Sequence, residues 1–233
     1  MDSQVVVVGG AGRVGRIIVQ RLLERRESVR VVGRSVQHAR RHLAPGAVFS
    51  EGDVRVPQTL ATPLAGCSAV VYCVEPGTDD RGPDRPETTL YQGVRNVLAA
   101  ATAGDNRPHV VLVSQLHATH QGHPLNAYGR LLVWRFAGEE LLRESGLPYT
   151  VVRPGWLVDD RTAGDRVRFD QGDQSTGWVT REDVAEACVQ ALYIPAARGV
   201  TFEIFNEPGS PIPSWSEAYG SLTWDRTPVG LTY

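Results

Sequence analysis

Four consecutive β-branched residues, Val5-Val6-Val7-Val8, run directly into Gly9-Gly10-Ala11-Gly12-Arg13-Val14-Gly15. An unbroken β-branched run is the pattern of a strand buried on both faces of a parallel sheet. A strand that feeds a glycine turn and then a helical pattern is the setting in which a dinucleotide fingerprint gains meaning. In Gly9-x-x-Gly12-x-x-Gly15, the first glycine permits a tight turn and the second lets the backbone approach a pyrophosphate. The third lets the helix pack close to the sheet. The N–H groups and dipole at the helix N-terminus favour phosphates there. A glycine-rich turn without ligand fits the same letters, so the motif needs support from the rest of the chain.

That support begins with alternation. A helical pattern over residues 12–26 carries Val14, Ile17, Ile18, Leu22 and Leu23 on one side. Strands follow at 29–32, 47–49, 69–74, 110–113, 149–152 and 202–205. Helical patterns fill 36–43 (N-capped by Ser35), 58–64, 87–103 and 128–145, the last ended by Gly146. Thr180 with Asp183 three residues on opens another helix as a capping signal. Strands alternating with helices imply right-handed βαβ units. The expectation is an α/β fold: a single Rossmann-like domain over residues 1–233, with a mainly parallel sheet and a small C-terminal substrate-side extension. Substrate-side elements are expected from 75–86, 115–127, 155–180 and 207–233.

The second strand ends in Gly33-Arg34-Ser35. A site that prefers NAD carries Asp or Glu there for the ribose 2′-hydroxyl. Arginine instead pairs bidentately with a 2′-phosphate, and Arg13 in the glycine turn adds charge. NADP(H) is therefore the expected cofactor. Asp53, with Val54 beside it, ends the third strand, where a carboxylate can accept from an adenine amino group.

Composition sets limits on the chemistry. All 24 basic residues are arginines, so no mechanism that needs a lysine ammonium operates here. The net charge is −2 and no basic block stands out, which gives no reason to expect nucleic acid. No apolar run nears the roughly 20 residues of a membrane helix, and no signal peptide is apparent. Cys67, Cys73 and Cys188 have no paired spacing, and a reduced cytoplasmic setting is expected.

Several stretches resemble the atypical short-chain dehydrogenase/reductases, in the branch of NmrA-like and NAD(P)H-binding proteins and the biliverdin-IXβ/flavin reductases. They are the glycine turn, Gly52-Asp53-Val54, Gly93-Val94-Arg95-Asn96 and Val111-Leu112-Val113-Ser114. Most specific is the run from Glu139 through Ser145-Gly146-Leu147-Pro148 to Arg153-Pro154-Gly155, followed by Trp178–Ala185. The resemblance implies that Ser114, Arg153, Pro154 and Gly155 lie at the reacting end of the cofactor, with Cys73 and Val74 near the nicotinamide ribose. It also implies a Tyr-x-x-x-Lys dyad, and here the sequence departs: Tyr128 is followed four residues on by Leu132. The single lysine that many atypical members keep before the helix glutamate corresponds to Arg135. Arginine bonds ribose hydroxyls but relays protons poorly.

Reducing a ketone leaves an alkoxide, for which a positioned acid is worth roughly 10²–10⁴-fold. Quinones and flavins give delocalised anions that need little beyond orientation. The expected activity is therefore an NADPH-dependent reductase of a quinone-like or flavin-like aromatic acceptor, in a setting such as aromatic polyketide tailoring. Ser114, Tyr128 and Arg135 are the candidate catalytic residues, Ser114 as donor to a developing oxyanion and Tyr128 as proton donor. A non-catalytic NADP(H) sensor of NmrA type and an epimerase or dehydratase with a tightly held cofactor are the alternatives. A homodimer, or a partner enzyme that consumes the reduced product, completes the list of expected partners. His117, His120 and His123 lack a supporting Cys or carboxylate pattern and are expected in a polar substrate-side loop, without metal. Asp79-Asp80 and Asp159-Asp160 are expected as solvated loop residues. Trp156 and Trp178 are candidates for an aromatic pocket or for plain core.

Overall fold

The computed structural model describes residues 4–77, 79–161, 164–212 and 214–225. Residues 78, 162, 163, 213 and 226–233 of the expected substrate-side stretches lie outside them. The chain begins with β1 (Gln4–Val8), α1 (Gly15–Glu24), β2 (Ser28–Gly33), α2 (Val36–His42) and β3 (Val48–Glu51). It continues through α3 (Ala61–Leu64), β4 (Ala69–Tyr72), a π-helical segment (Glu87–Gln92) that runs into α4 (Gly93–Ala101), and β5 (His109–Val113). Then come α5 (Leu131–Glu144), β6 (Tyr149–Pro154), β7 (Trp156–Val158), β8 (Arg166–Asp170), β9 (Trp178–Thr180), α6 (Arg181–Tyr193), β10 (Val200–Glu207) and α7 (Trp215–Gly220).

The main sheet has the order β3-β2-β1-β4-β5-β6-β10-β8. Every neighbouring pair is parallel except β8, which runs antiparallel to β10. This is a single α/β Rossmann-like domain, with a largely parallel sheet and a C-terminal extension of strand and helix. Short β7 and β9 form a separate parallel pair. Because side chains alternate along a strand, β1 serves both layers. Val5 and Val7 pack with Ile18, Val19 and Leu22 of α1 and Val184 and Cys188 of α6. Val6 and Val8 pack with Leu60 and Leu64 beside α3, Val94 and Val97 of α4, and Leu142 of α5.

Several boundaries differ from the sequence pattern for local reasons. The first helix starts at Gly15, since residues 9–14 form the turn. The helix expected from Tyr128 starts at Leu131, because Gly129 (φ +52°) and Arg130 (φ +58°) are both left-handed. Residues 87–92 wind as a π-helix where Tyr72 Oη donates to the Thr89 carbonyl at 2.5 Å. Strand β6 carries on through Arg153 and Pro154.

Buried His109 at the head of β5 makes the fold acid-sensitive. Thr150 Oγ1 donates to the Ala197 carbonyl at 2.6 Å, so it accepts from His109 Nε2 at 2.9 Å. Nδ1 has no partner. Burial, and then the charge of Arg198, push the imidazole pKa down from 6.5 to about 4. Between those values the unfolded chain takes up a proton that the native imidazole refuses, so stability falls as pH drops through this window. Urea unfolding should show a loss on the order of 2–3 kcal/mol from pH 6.5 to 4, and His109→Gln should flatten that slope.

Candidate functional site

The site lies where β1 and β4 send their chains to opposite sides of the sheet, the crevice where open α/β sheets bind ligands. A cavity of about 800 Å3 runs from the end of β2 across the glycine turn to the ends of β5 and β6. Gly9 takes φ +84°, and a Cβ there would stand 2.7 Å from the Cys73 carbonyl oxygen. A Cβ on Gly15 would stand 2.4 Å from the Gly9 carbonyl oxygen and 2.7 Å from Gly10 Cα. The turn is thus pressed between the end of β4 and the start of α1. Val14 occupies the N-cap of α1, with no side-chain cap bond, so the helix N-terminus is left to an anion. An open N-terminus, a glycine cradle without room for side chains and a long cavity fit a dinucleotide. Gly9, Gly12, Arg13 and Val14 line that cavity; Gly15 lies beneath, as the packing glycine.

At the β2 end the cavity is lined by Arg34, Ser35, His38, Asp53, Val54 and Arg55. Ser35 caps α2, its Oγ accepting from His38 N at 3.2 Å. Arg34 is exposed and its Nη1 lies 3.4 Å from Asp84 Oδ2. The Asp53 carboxylate is already engaged: Arg55 Nε donates to its two oxygens at 2.9 and 3.1 Å, and Arg55 N adds a bond at 3.0 Å. The Arg55 guanidinium holds the Asp53 carboxyl below the usual range, ahead of the opposing effect of burial. The acceptor expected for an adenine amino group is therefore an ion-pair partner two residues from its own guanidinium. Beside the glycine turn, outside the cavity wall, Asp159 receives Arg13 Nη2 and Arg181 Nη1, each at 2.6 Å.

The other end is lined by Cys73, Val74, Ser114, Arg135, Pro154 and Gly155, and by Glu75, Gln115, Leu116, Trp156 and Leu157. The Cys73 Sγ is tucked under the turn, donating to the Val8 carbonyl at 3.3 Å. Burial pushes this thiol up to about 12, which keeps it protonated and inert. Arg135 is buried and pairs with Glu75, while its Nε has no partner.

Three expectations at this end are corrected. The Ser114 hydroxyl donates to Glu139 Oε1 at 2.5 Å. A serine has one proton, so Ser114 turns only lone pairs to the cavity and is no donor to an oxyanion. Tyr128 does not line the cavity; its Oη donates to the Gly77 carbonyl at 2.5 Å. Partial desolvation, then Asp80, Asp79 and Asp84, raise its pKa. Arg153 points away from the cavity into a buried charge cluster. Its Nε and Nη2 hold Glu139 at 3.0 and 2.6 Å, and its Nη1 reaches Glu203 at 3.2 Å and Asp173 at 3.8 Å. Burial opposes this charge, but the surrounding carboxylates, Glu139 foremost, prevail and raise the arginine pKa. Burial also pushes the Glu203 carboxyl up.

This cluster steers the histidine loop. Asp173 Oδ1 accepts from His117 N at 2.6 Å, and its Oδ2 accepts from Thr119 N and Oγ1 at 2.9 and 2.8 Å. His117 takes φ +64°, and its ring lies 5.1 Å from that of His120 and 4.8 Å from that of His123. Among the described residues no group of three His, Cys, Asp or Glu side chains is arranged to hold a metal. Asp159 and Asp79 are bound rather than free: Asp79 Oδ1 accepts from Arg81 N at 2.9 Å. Trp156 lies at the cavity wall and Trp178 opposite it on β9, both exposed. Sequence patterns had not pointed to Glu139, Asp173, Arg181 or Glu203 as parts of this site. Glu139, Asp173 and Glu203, from separate stretches, meet on Arg153 behind the cavity wall, and Arg181 meets Arg13 on Asp159.

Fold and site together define a Rossmann-fold NAD(P)-binding protein of oxidoreductase type. The chain belongs to the NAD(P)H-binding family, which matches it over residues 9–195. It is similar to an uncharacterized chloroplastic protein of Arabidopsis thaliana, 30% identical over 94% of this chain and 75% of that one. Sanguinarine reductase of Eschscholzia californica is 27% identical over 88% of this chain and 89% of its own. An NAD(P)H azoreductase of Xenophilus azovorans is 27% identical over 86% and 67%. Among solved structures, an oxidoreductase of Lactococcus lactis superposes with TM-score 0.76 at 19% identity, over 94% of this chain and 95% of that one, a likeness of fold.

Proposed function

We propose that the protein is an NADPH-dependent reductase of an electron-poor aromatic acceptor, quinone-like or flavin-like, working without a Tyr-Lys dyad. One observation carries the proposal. Among the described residues lining the Ser114 end of the cavity there is no tyrosine, histidine or lysine, and the one serine has its proton turned to Glu139. A ketone would gain little from such a wall, whereas an acceptor that delocalises its new charge needs mainly orientation. Names of two relatives, a sanguinarine reductase and an azoreductase, support reduction of aromatic compounds.

Bound NADPH supplies the hydride. The chain's own residues would place it: the α1 N-terminus and Arg13 would hold the pyrophosphate, Arg34 the 2′-phosphate, and Arg135 the nicotinamide-side ribose. Pro154 and Gly155 would back the reacting end, and Val74 and Leu157 would keep it apolar. Among the described residues the substrate-side wall is drawn from Glu75, Gln115, Leu116, Trp156 and Leu157, and none of 207–212 or 214–225 reaches the cavity. The proposed setting is a cytoplasmic chain acting alone, as a homodimer or beside a partner enzyme that consumes the reduced product, in aromatic-polyketide tailoring.

The test is NADPH oxidation over a panel of quinones, flavins, azo dyes and simple ketones. Turnover of the aromatic acceptors and not of ketones is expected. Tight NADP(H) binding without any turnover would replace the proposal with a sensor. Retained cofactor with no net NADPH consumption would replace it with an epimerase or dehydratase. Arg34→Asp should weaken NADPH about tenfold or more relative to NADH, since it exchanges an attractive charge-assisted pair for a repulsive one.

A further inference from the structure

We infer that Asp84 and Asp159 tune cofactor binding by occupying arginines at the nucleotide end of the cavity: Asp84 on Arg34 bears on the choice between NADP and NAD, and Asp159 on Arg13 and Arg181 bears on both dinucleotides alike. The inference rests on the NADP(H) proposal. Arg34, at the end of β2, and Asp84, on the 79–86 stretch, both line the cavity and face each other at 3.4 Å. Arg13, in the glycine turn, and Arg181, at the start of α6, also line it, and both are held by Asp159, just beyond β7. Each carboxylate thus comes from a substrate-side stretch; Arg34 and Arg13 come from the nucleotide half, and Arg181 from the start of α6.

These pairs do little for the fold. The Arg13–Asp159 pair is well exposed on both sides, and Arg34 is exposed beside a partly buried Asp84; such pairs contribute little, whereas Arg181 on Asp159 is itself largely buried. Their effect falls on ligands. A phosphate approaching Arg34 meets Asp84 already on that cation, and a pyrophosphate approaching Arg13 meets Asp159. Two anions on one guanidinium repel, and both carboxylate and phosphate make charge-assisted bonds to it, so cofactor binding displaces the carboxylate from Arg34 and from Arg13, while Asp159 keeps Arg181. The two aspartates therefore act on different parts of the cofactor. The 2′-phosphate is present only in NADP, whereas the pyrophosphate is common to NADP and NAD.

The experiment is equilibrium titration of the full chain, Asp84→Asn and Asp159→Asn with NADP+, NAD+ and adenosine 2′-monophosphate, read by tryptophan fluorescence or calorimetry. Asp84→Asn should tighten NADP+ and adenosine 2′-monophosphate about two- to fivefold and leave NAD+ unchanged, the scale of a displaced surface pair. Asp159→Asn should tighten both dinucleotides by a similar factor and leave adenosine 2′-monophosphate unchanged. Hydrogen exchange at 79–86 should rise with NADP+ and not with NAD+. Unchanged or weaker binding in both variants, with wild-type preference for NADP+ intact, overturns the inference and leaves the NADP(H) proposal standing. Equal wild-type affinity for NADP+ and NAD+ overturns that proposal and the Asp84 half with it. The Asp159 half is then decided by either dinucleotide.

Discussion

An Arg153→Met chain should unfold about 3–5 kcal/mol more readily than the wild type, the usual consequence of removing one partner from a buried ion cluster. Arg153 is the cation shared by Glu139, Glu203 and Asp173, all of them buried. Methionine fills similar volume, so the loss is electrostatic rather than a cavity. Arg143 still reaches Glu139 at 3.0 Å, but among the described residues Glu203 and Asp173 have no cation partner other than Arg153. The deficit should depend on pH. Facing carboxylates without a counter-charge bind protons more readily folded than unfolded, so acidification from neutral pH should recover part of the lost stability. Urea unfolding of both chains at two pH values measures this. A deficit that stays constant with pH would refute the electrostatic account. Loss of the cluster should also loosen the histidine loop, since Asp173 both neighbours Arg153 and accepts from His117 N and Thr119 N.

Gly15→Val should weaken dinucleotide binding about tenfold to a hundredfold, with folding also impaired, on the scale of 1–3 kcal/mol for overpacking. The new Cβ would meet the Gly9 carbonyl oxygen at 2.4 Å and Gly10 Cα at 2.7 Å. Both are backbone atoms, so relief requires the turn itself to move away from α1. That motion displaces the amides and the helix N-terminus that hold the phosphates. Titration with NADP+ reads the binding loss and a thermal melt reads the stability loss. Gly12→Ala is the milder contrast, because its Cβ would have one backbone neighbour, at 3.1 Å. Equal effects at positions 12 and 15 would argue against close packing as the cause.

How far the sequence foretold this depends on the range of the forces involved. Val5–Val8, the glycine turn and the Thr180 cap rest on local periodicity and capping, and they appear where expected; Thr180 Oγ1 accepts from Asp183 N at 3.0 Å. Arg34, Ser35 and Asp53 follow from strand ends and line the cavity. Strands β7 and β9 have three residues each, too few to show alternation. In β8 the alternation of Arg166-Val167-Arg168-Phe169 is obscured by charged residues on both sides, Asp165 and Asp170. The bend before α5 came from two left-handed residues, of which Arg130 gives no signal in its letter. The proton position on Ser114 was beyond reach, since it is set by Glu139, 25 residues away. Likewise Arg153 shares its motif with cavity residues Pro154 and Gly155 but points to the opposite side. Strand alternation separates neighbours that a motif joins.

The placement of β1 has a kinetic consequence. Its odd-numbered valines belong to the core shared with α1 and α6, and its even-numbered valines to the core shared with α3, α4 and α5. Neither layer can detach without exposing half of the same strand, so partial opening of one layer is disfavoured by both. The β1 amides, hydrogen-bonded between β2 and β4, should therefore exchange with solvent only when the whole domain unfolds. Their exchange free energy should equal the global one, while the exposed end of α2 exchanges far faster.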